Sequence, residues 1–187
     1  MSFQSEEVSR VRRRQFFFAL WPDPSTRKDL VRSTQNVVRL SGVRAVVAKN
    51  LHLTVVFLGE ITERQLSAVR GVPPVPISSF MLTLDTLDFR RYPRMQGASR
   101  DICLVPRDVP PELILLERTL WDGLQKGGFE REKRLYCPHL TLGRRGRLVT
   151  EDVRPVEWFV SKLVLVESVP GPTGASYKVR HTWRLGD

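Results

Sequence analysis

The chain has 187 residues and carries 30 Lys and Arg against 20 Asp and Glu, a formal net charge of +10. With 41% hydrophobic residues, a chain of this length buries roughly 70% of its unfolded surface, which excludes disorder, and its composition excludes collagen-like and disulfide-framework classes. The longest apolar run, Phe16 to Trp21, has six residues against the ~20 of a membrane span, so a soluble protein with no membrane partner is expected.

Residues 1–13 predict a flexible basic tail: Arg10, Arg12 and Arg13 stand there with Glu6 and Glu7, and the apolar core of a signal peptide is missing. Gln15 to Trp21 predicts a strand, stopped by Pro22-Asp23-Pro24. Ser25 to Leu40 predicts a helix, with Leu30, Val31, Val37, Val38 and Leu40 on a broad apolar stripe and Ser25 as N-cap. Arg44 to Ala48 and Leu51 to Leu58 predict paired or consecutive strands on either side of Lys49-Asn50. Thr62 to Arg70 predicts a short helix with a capping pattern from Thr62 to Gln65, ended by Gly71-Val72-Pro73-Pro74.

Phe80 to Asp88 alternates Phe80, Leu82 and Leu84 with Met81, Thr83 and Asp85, which predicts one half-buried strand. The basic stretch Arg90 to Arg100 links it to a strand over Ile102 to Val105. Pro111 to Gln125 is the clearest helix, with Leu113, Leu116, Leu120 and Leu124 on one face and Gly127-Gly128 closing it. Leu135 to Leu142, Val156 to Val169 and Tyr177 to Leu185 predict the remaining strands. Helices interspersed with hairpin-like strands point to an α+β protein with antiparallel sheets.

Of the 30 basic residues, 24 are Arg and 6 are Lys. The planar guanidinium pairs bidentately with phosphate and suits a nucleic-acid or nucleotide partner, although GC-rich coding bias gives the same count. Cys103 and Cys137 are the only cysteines, too few for a disulfide framework or a structural zinc site, and a reducing cytoplasm is expected.

One pattern occurs twice, as His52-Leu53-Thr54-Val55 and His139-Leu140-Thr141-Leu142, 87 residues apart. Along an extended segment His and Thr share one face, about 7 Å apart, while Leu and the following aliphatic residue point to the other. A lone histidine of this kind is an ordinary structural residue, but two of only three histidines fall in the same frame. Two imidazoles, with an unperturbed pKa of ~6.5, supply a base and an acid near neutral pH. Two threonine hydroxyls beside them can donate to the non-bridging oxygens of a phosphate. Together they make a site for phosphoryl transfer without a metal, and no cofactor is implied.

The chain resembles the 2H phosphoesterase superfamily, and within it the RNA 2',3'-cyclic phosphodiesterases, also called 2'-5' RNA ligases. The resemblance spans roughly residues 14 to 185 and rests on "RQFFFALWPD", "KNLHLTVVFLGE", "LDTLDF", "PPELILLERTLWDGL", "RLYCPHLTLGRR" and "FVSKLVLVESVPGPTGASYKV". It implies a single bilobed domain over residues 14–187, pseudo-two-fold, with two antiparallel sheets facing a central cleft and helices on the outer faces. It implies opening of an RNA 2',3'-cyclic phosphate end to a 2'-phosphomonoester, with His52 protonating the departing O3' and His139 taking a proton from water. Thr54 and Thr141 would grip the phosphate. Reversible 2'-5' ligation, with an RNA 5'-hydroxyl in place of water, is a variant of the same reaction.

The neighbours leave alternatives open. Phe57 lies on the opposite face of a regular strand from His52, a core position, whereas the resemblance makes it a base-stacking residue. Arg134 and Arg144, five before and five after His139, match phosphate-proximal positions or belong to a solvated basic surface. Arg145 and Arg147 read as RNA-backbone attraction or plain surface, and six basic residues against Glu132 between Arg131 and Arg147 put the second motif in a positive field. Arg90, Arg91, Arg94 and Arg100, with Tyr92, suit a nucleic-acid strand or a solvated loop. His181 has Trp183 two residues on and reads as structural. Cys137 departs from the resemblance, since family members often carry His there; with His139 and His52 it permits a metal site, which would leave the paired threonines unexplained. A non-catalytic RNA-binding module is the alternative from another class. The expected partner is RNA with a 2',3'-cyclic phosphate end, met by a monomer with no obligate protein partner.

Overall fold

A computed structural model of the protein describes residues 14–71, 76–91, 100–131, 134–169, 171 and 175–186. The expected basic tail, residues 1–13, and Tyr92 and Arg94 of the basic stretch lie outside these. The elements in chain order are β1 (Gln15–Leu20), α1 (Pro24–Ser41), β2 (Arg44–Ala45), a 3-10 turn at Ala48–Asn50, β3 (Leu53–Gly59), α2 (Glu63–Arg70), β4 (Phe80–Leu84), β5 (Thr86–Arg90), β6 (Arg100–Val105), α3 (Pro111–Lys126), β7 (Leu140–Gly146), β8 (Val156–Val160), β9 (Lys162–Val169) and β10 (Ser176–Arg184).

The α+β class and the antiparallel sheets are as expected. Strand order β10-β9-β1-β3-β7-β6-β5, with β2 added to β7, makes one eight-stranded sheet, and β4 pairs with β8 in a second. The large sheet divides into two four-stranded halves, β10-β9-β1-β3 and β2-β7-β6-β5, joined only through the pair Leu53 and Leu140. Each half repeats one plan: a strand (β1 or β6), a helix (α1 or α3), then the motif strand (β3 or β7) paired antiparallel beside the first. The helices cross over, because α1 packs on β7 as well as on β8 of the small sheet, and α3 packs on β3. Phe18, Leu20, Leu30, Leu53, Leu104, Leu120 and Leu140 from both halves are fully buried in one continuous core.

Several boundaries differ from expectation for local reasons. Asp23, not Ser25, caps α1: its carboxylate accepts the backbone N–H of Ser25 (2.8 Å) and Thr26 (3.1 Å), and Pro24 follows as a preorganised first helical residue. Those bonds, led by the Ser25 side chain, hold the Asp23 carboxyl well below the usual carboxylate range. The strand expected over Arg44 to Ala48 shrinks to β2, which pairs with β7 and not β3. It lies so close to β7 that a Cβ on Gly143 would come within 2.5 Å of Val43. The strand over Phe80 to Asp88 breaks at Asp85, whose carboxylate accepts the backbone N–H of Arg107 (2.9 Å), so that β4 and β5 enter different sheets. Val156 to Val169 breaks likewise at Ser161. The strand over Leu135 to Leu142 starts only at Leu140, so residues 135 to 139 form an irregular wall. No helix among the described residues is long and apolar enough to cross a membrane.

Candidate active site

The single pair Leu53–Leu140 organises the site. Both leucines are fully buried on the core side. Alternation then turns His52, Thr54, His139 and Thr141 to the other face. This pair brings the two motifs side by side: Thr54 and His139 line one groove, and the charge of His139 acts on His52. All four side chains are half-buried. The duplicated motif is thus two strand entries related by a local two-fold.

Both imidazoles are held alike. His52 Nδ1 lies 2.7 Å from the Asn50 carbonyl oxygen and His139 Nδ1 lies 2.9 Å from that of Cys137. A carbonyl only accepts, so each Nδ1 carries the proton and donates it. Nε2 is left as the atom that takes or gives a proton toward a ligand.

Their surroundings differ. His52 stacks with Phe17 (ring centroids 5.0 Å apart) and with Trp21 (5.2 Å, planes 6° apart), and meets the edge of Tyr177 at 5.3 Å. Burial among these rings pushes its pKa down to about 4 against the opposing Asn50 carbonyl, and the positive charges of His139 and Arg144 push the same way. His139 is also lowered, first by burial and then by Arg90 and Arg134, against its Cys137 carbonyl and Asp88. Phe17, Trp21 and Tyr177 were not among the residues expected at the site. The period-two spacing of Phe17, Ala19 and Trp21 was the available signal, but their meeting with His52 depends on the β1–β3 register.

A groove of about 320 Å³ opens beside His139, lined by Thr54, Phe57, Arg134, Tyr136 and Cys137 among others. Phe57 is 46% exposed in this groove and not in the core. The cause is a β-bulge: Ala19 faces Thr54 but Phe18 faces Val56, so Val55 is the extra residue and the alternation flips before Phe57. Tyr136 donates its hydroxyl to the Thr54 carbonyl at 3.2 Å and ties the wall of the second motif to the first motif strand. Arg90 bonds Asp88 (2.6 Å) and the Cys137 thiol (3.1 Å), which draws it in beside the groove. Arg131 grips buried Glu117 through both carboxylate oxygens, at 3.0 and 2.8 Å.

The structure sets Arg134 and Arg144 on opposite sides. Arg134 lines the groove beside His139, while Arg144 pairs with buried Asp101 at 2.9 Å and acts on His52. Cys103 is the partner of Thr141 across β6 and β7, sulfur to hydroxyl 3.8 Å, and burial raises its thiol to about 11. Arg147 bonds the Leu40 carbonyl at 3.0 Å, and His181 packs against Trp183. Among the described residues no three His, Cys, Asp or Glu side chains are grouped to hold a metal ion, so His52, His139 and Cys137 do not assemble as one site.

A sheet carrying two His-x-Thr strand entries about a local two-fold is the architecture of a 2H phosphoesterase. The family described as LigT like phosphoesterase matches residues 20–94. A protein named RNA 2',3'-cyclic phosphodiesterase from Archaeoglobus fulgidus is 30% identical over 172 residues, covering 87% of this chain and 95% of the relative. The structure of Escherichia coli LigT complexed with 3'-AMP is similar with a TM-score of 0.77 and 26% identity, over 93% of this chain and 99% of that one. TT0787 of Thermus thermophilus is similar with a TM-score of 0.74 and 25% identity, over 92% and 99%. The chain belongs to the LigT-like branch of the 2H phosphoesterase superfamily.

Proposed function

We propose that the protein hydrolyses RNA 2',3'-cyclic phosphate ends to 2'-phosphomonoesters by a metal-independent reaction that uses two histidines. The observation that carries this reading is the convergence of both histidines and both threonines on one face around Leu53–Leu140. The name of the Archaeoglobus relative and the 3'-AMP complex of the Escherichia coli protein support the substrate class.

In the reaction, a water oxygen attacks phosphorus and the P–O3' bond breaks. One imidazole Nε2 takes the water proton and the other delivers a proton to O3'. Thr54 and Thr141 donate to the non-bridging oxygens, with Arg134 and Arg144 balancing charge from either side and Phe57 offering a stacking face for the terminal base. The resemblance assigns the acid to His52 and the base to His139. With a pKa of about 4 in the ligand-free site, His52 serves as acid only once the phosphate anion offsets its burial. The charge of the substrate is therefore part of how the acid is armed. The same site with an RNA 5'-hydroxyl as nucleophile would run 2'-5' ligation.

The test is the product from a defined 2',3'-cyclic-phosphate oligonucleotide in excess chelator, identified by mass and phosphatase sensitivity, with His52→Ala and His139→Ala alongside. A 2'-phosphate product and losses of at least 100-fold in both variants are expected. More than a tenth of the wild-type rate in either variant refutes the paired mechanism. RNA binding that survives loss of both histidines, without turnover, would instead favour the non-catalytic module. The protein is proposed to act as a cytoplasmic monomer on residues 14–187, which sedimentation and fractionation would test.

A further inference from the structure

One buried charge takes no part in the reaction above. On α3, Leu113, Leu116, Leu120 and Leu124 are buried, and Glu117 is buried among them with only 5% exposure. A buried ion pair gains little net stability over well-packed apolar side chains of the same volume, so pairing with Arg131 does not by itself account for a carboxylate in this stripe. Glu117 and Trp121, one helical turn apart, line the groove beside His139. Both are buried, whereas Phe57 and Arg134 in the same groove are exposed. This turn of α3 therefore closes the inner end of the groove, and Phe57 stands at its mouth.

The carboxylate keeps acceptor capacity beyond its ion pair. Arg131 makes both bonds, 3.0 and 2.8 Å, through a single terminal nitrogen, and an ionised carboxylate accepts at about four sites. Glu117 is the one acid among the described residues that line the groove. Unstacked RNA bases are read by an aromatic face and by hydrogen bonds to the Watson–Crick edge, and the groove offers Phe57 for the first and Glu117 for the second. The four bases meet a carboxylate differently. Guanine presents N1–H and N2–H side by side, one donor for each oxygen. Adenine and cytosine present one amino group beside a ring nitrogen whose lone pair repels the second oxygen, and uracil presents N3–H between two carbonyl oxygens.

We infer that Glu117 selects guanine as the terminal base, accepting N1–H and N2–H at the inner end of the groove while Phe57 stacks on the ring. The inference rests on the proposed reaction and deepens it by naming the RNA end, a guanosine 2',3'-cyclic phosphate.

The test measures kcat/KM of the full chain on dinucleotides that end in a 2',3'-cyclic phosphate and differ only in the terminal base: guanine, hypoxanthine, adenine, cytosine or uracil. Guanine should exceed adenine, cytosine and uracil by about tenfold or more, the discrimination of one matched bidentate pair. Hypoxanthine keeps N1–H but lacks the N2 amino group and should fall between. In Glu117→Gln the amide offers one acceptor and one donor, which suits adenine N6–H and N1, so the guanine-to-adenine ratio should drop to about threefold or less. A general loss of packing slows every end alike and leaves that ratio unmoved. Equal rates on all ends, hypoxanthine matching guanine, or a guanine preference that survives Glu117→Gln overturns the assignment, while hydrolysis of any of the ends keeps the parent reaction. Should Glu117→Gln not fold, the wild-type series decides alone. Absence of hydrolysis on every end by folded protein overturns the two together.

Discussion

Trp21→Ala gives the most direct access to the electrostatics of the site. The His52 ring is flanked by Phe17, Trp21 and Tyr177 at centroid distances of 5.0, 5.2 and 5.3 Å, and burial among them is the largest cause of its pKa of about 4. At 1.36 kcal/mol per tenfold change in proton affinity, the fall from 6.5 to about 4 is about 3 kcal/mol, an upper bound for a ring that water partly reaches. Trp21 is one of three rings and lies nearly parallel to the imidazole. Replacing it with water-accessible space should recover about a third of this, roughly a tenfold gain in proton affinity. Titration of the histidine Cε1–H resonances by NMR reads it, with His52→Gln assigning the peak. A wild-type His52 titrating near 6.5, or one that Trp21→Ala leaves unmoved, would refute the argument that aromatic burial sets its charge. The same depression acts on stability. A histidine kept neutral by the fold contributes fully above its unfolded value of ~6.5, and the contribution is lost as pH falls from there to about 4. His52→Gln should accordingly flatten part of the loss in Tm across that window.

Because the reaction needs one imidazole charged and one neutral, and both are lowered from 6.5 in the ligand-free site, kcat/KM should peak between about 4 and 6.5 as a bell whose limbs belong to the pair; a peak above pH 7.5 would contradict it. Gly143→Ala puts a Cβ 2.5 Å from Val43 and 3.1 Å from the Arg44 carbonyl, so it should cost about 1–3 kcal/mol in denaturant melts and lower activity by displacing β2 and β7. Arg144→Ala strips the buried Asp101 carboxylate of a partner at 2.9 Å and should destabilise by about 1–3 kcal/mol. Adding Asp101→Asn should recover much of that loss, and a double variant no more stable than Arg144→Ala would count against a buried-charge origin.

The site was legible in the sequence to the extent that it is local. His52, Thr54, His139 and Thr141 announce themselves because extended backbone alternates and the motif repeats, and the α3 stripe from Leu113 to Leu124 needs only helical periodicity. What escaped depends on register or on single side chains. Phe57 points into the groove because of an extra residue at Val55, and a bulge has no signature in a run of aliphatic residues. The aromatic wall around His52 joins β1, β10 and the first motif, three segments whose adjacency no local pattern encodes. The breaks at Asp85 and Ser161 fall inside stretches of continuous strand character, and at Asp85 the bond to the Arg107 backbone lies 22 residues away. Arg134 and Arg144 look equivalent about His139 in sequence, yet Arg134 lines the groove beside His139 while Arg144 pairs with the buried Asp101 carboxylate.

The crossed helices bear on how the chain comes off the ribosome. The helix that supports the first motif strand is α3, made some 60 residues after it, and α1 is made about 100 residues before the strand that it supports. Until β7 and β8 have been synthesised, α1 lacks the strands that it packs on, and until α3 is made His52 stands beside a strand without its backing. Neither half can therefore mature as an independent unit during translation. The early chain must stay open until its second half is made, and truncation anywhere before β7 should leave an aggregation-prone fragment and not a working half-site.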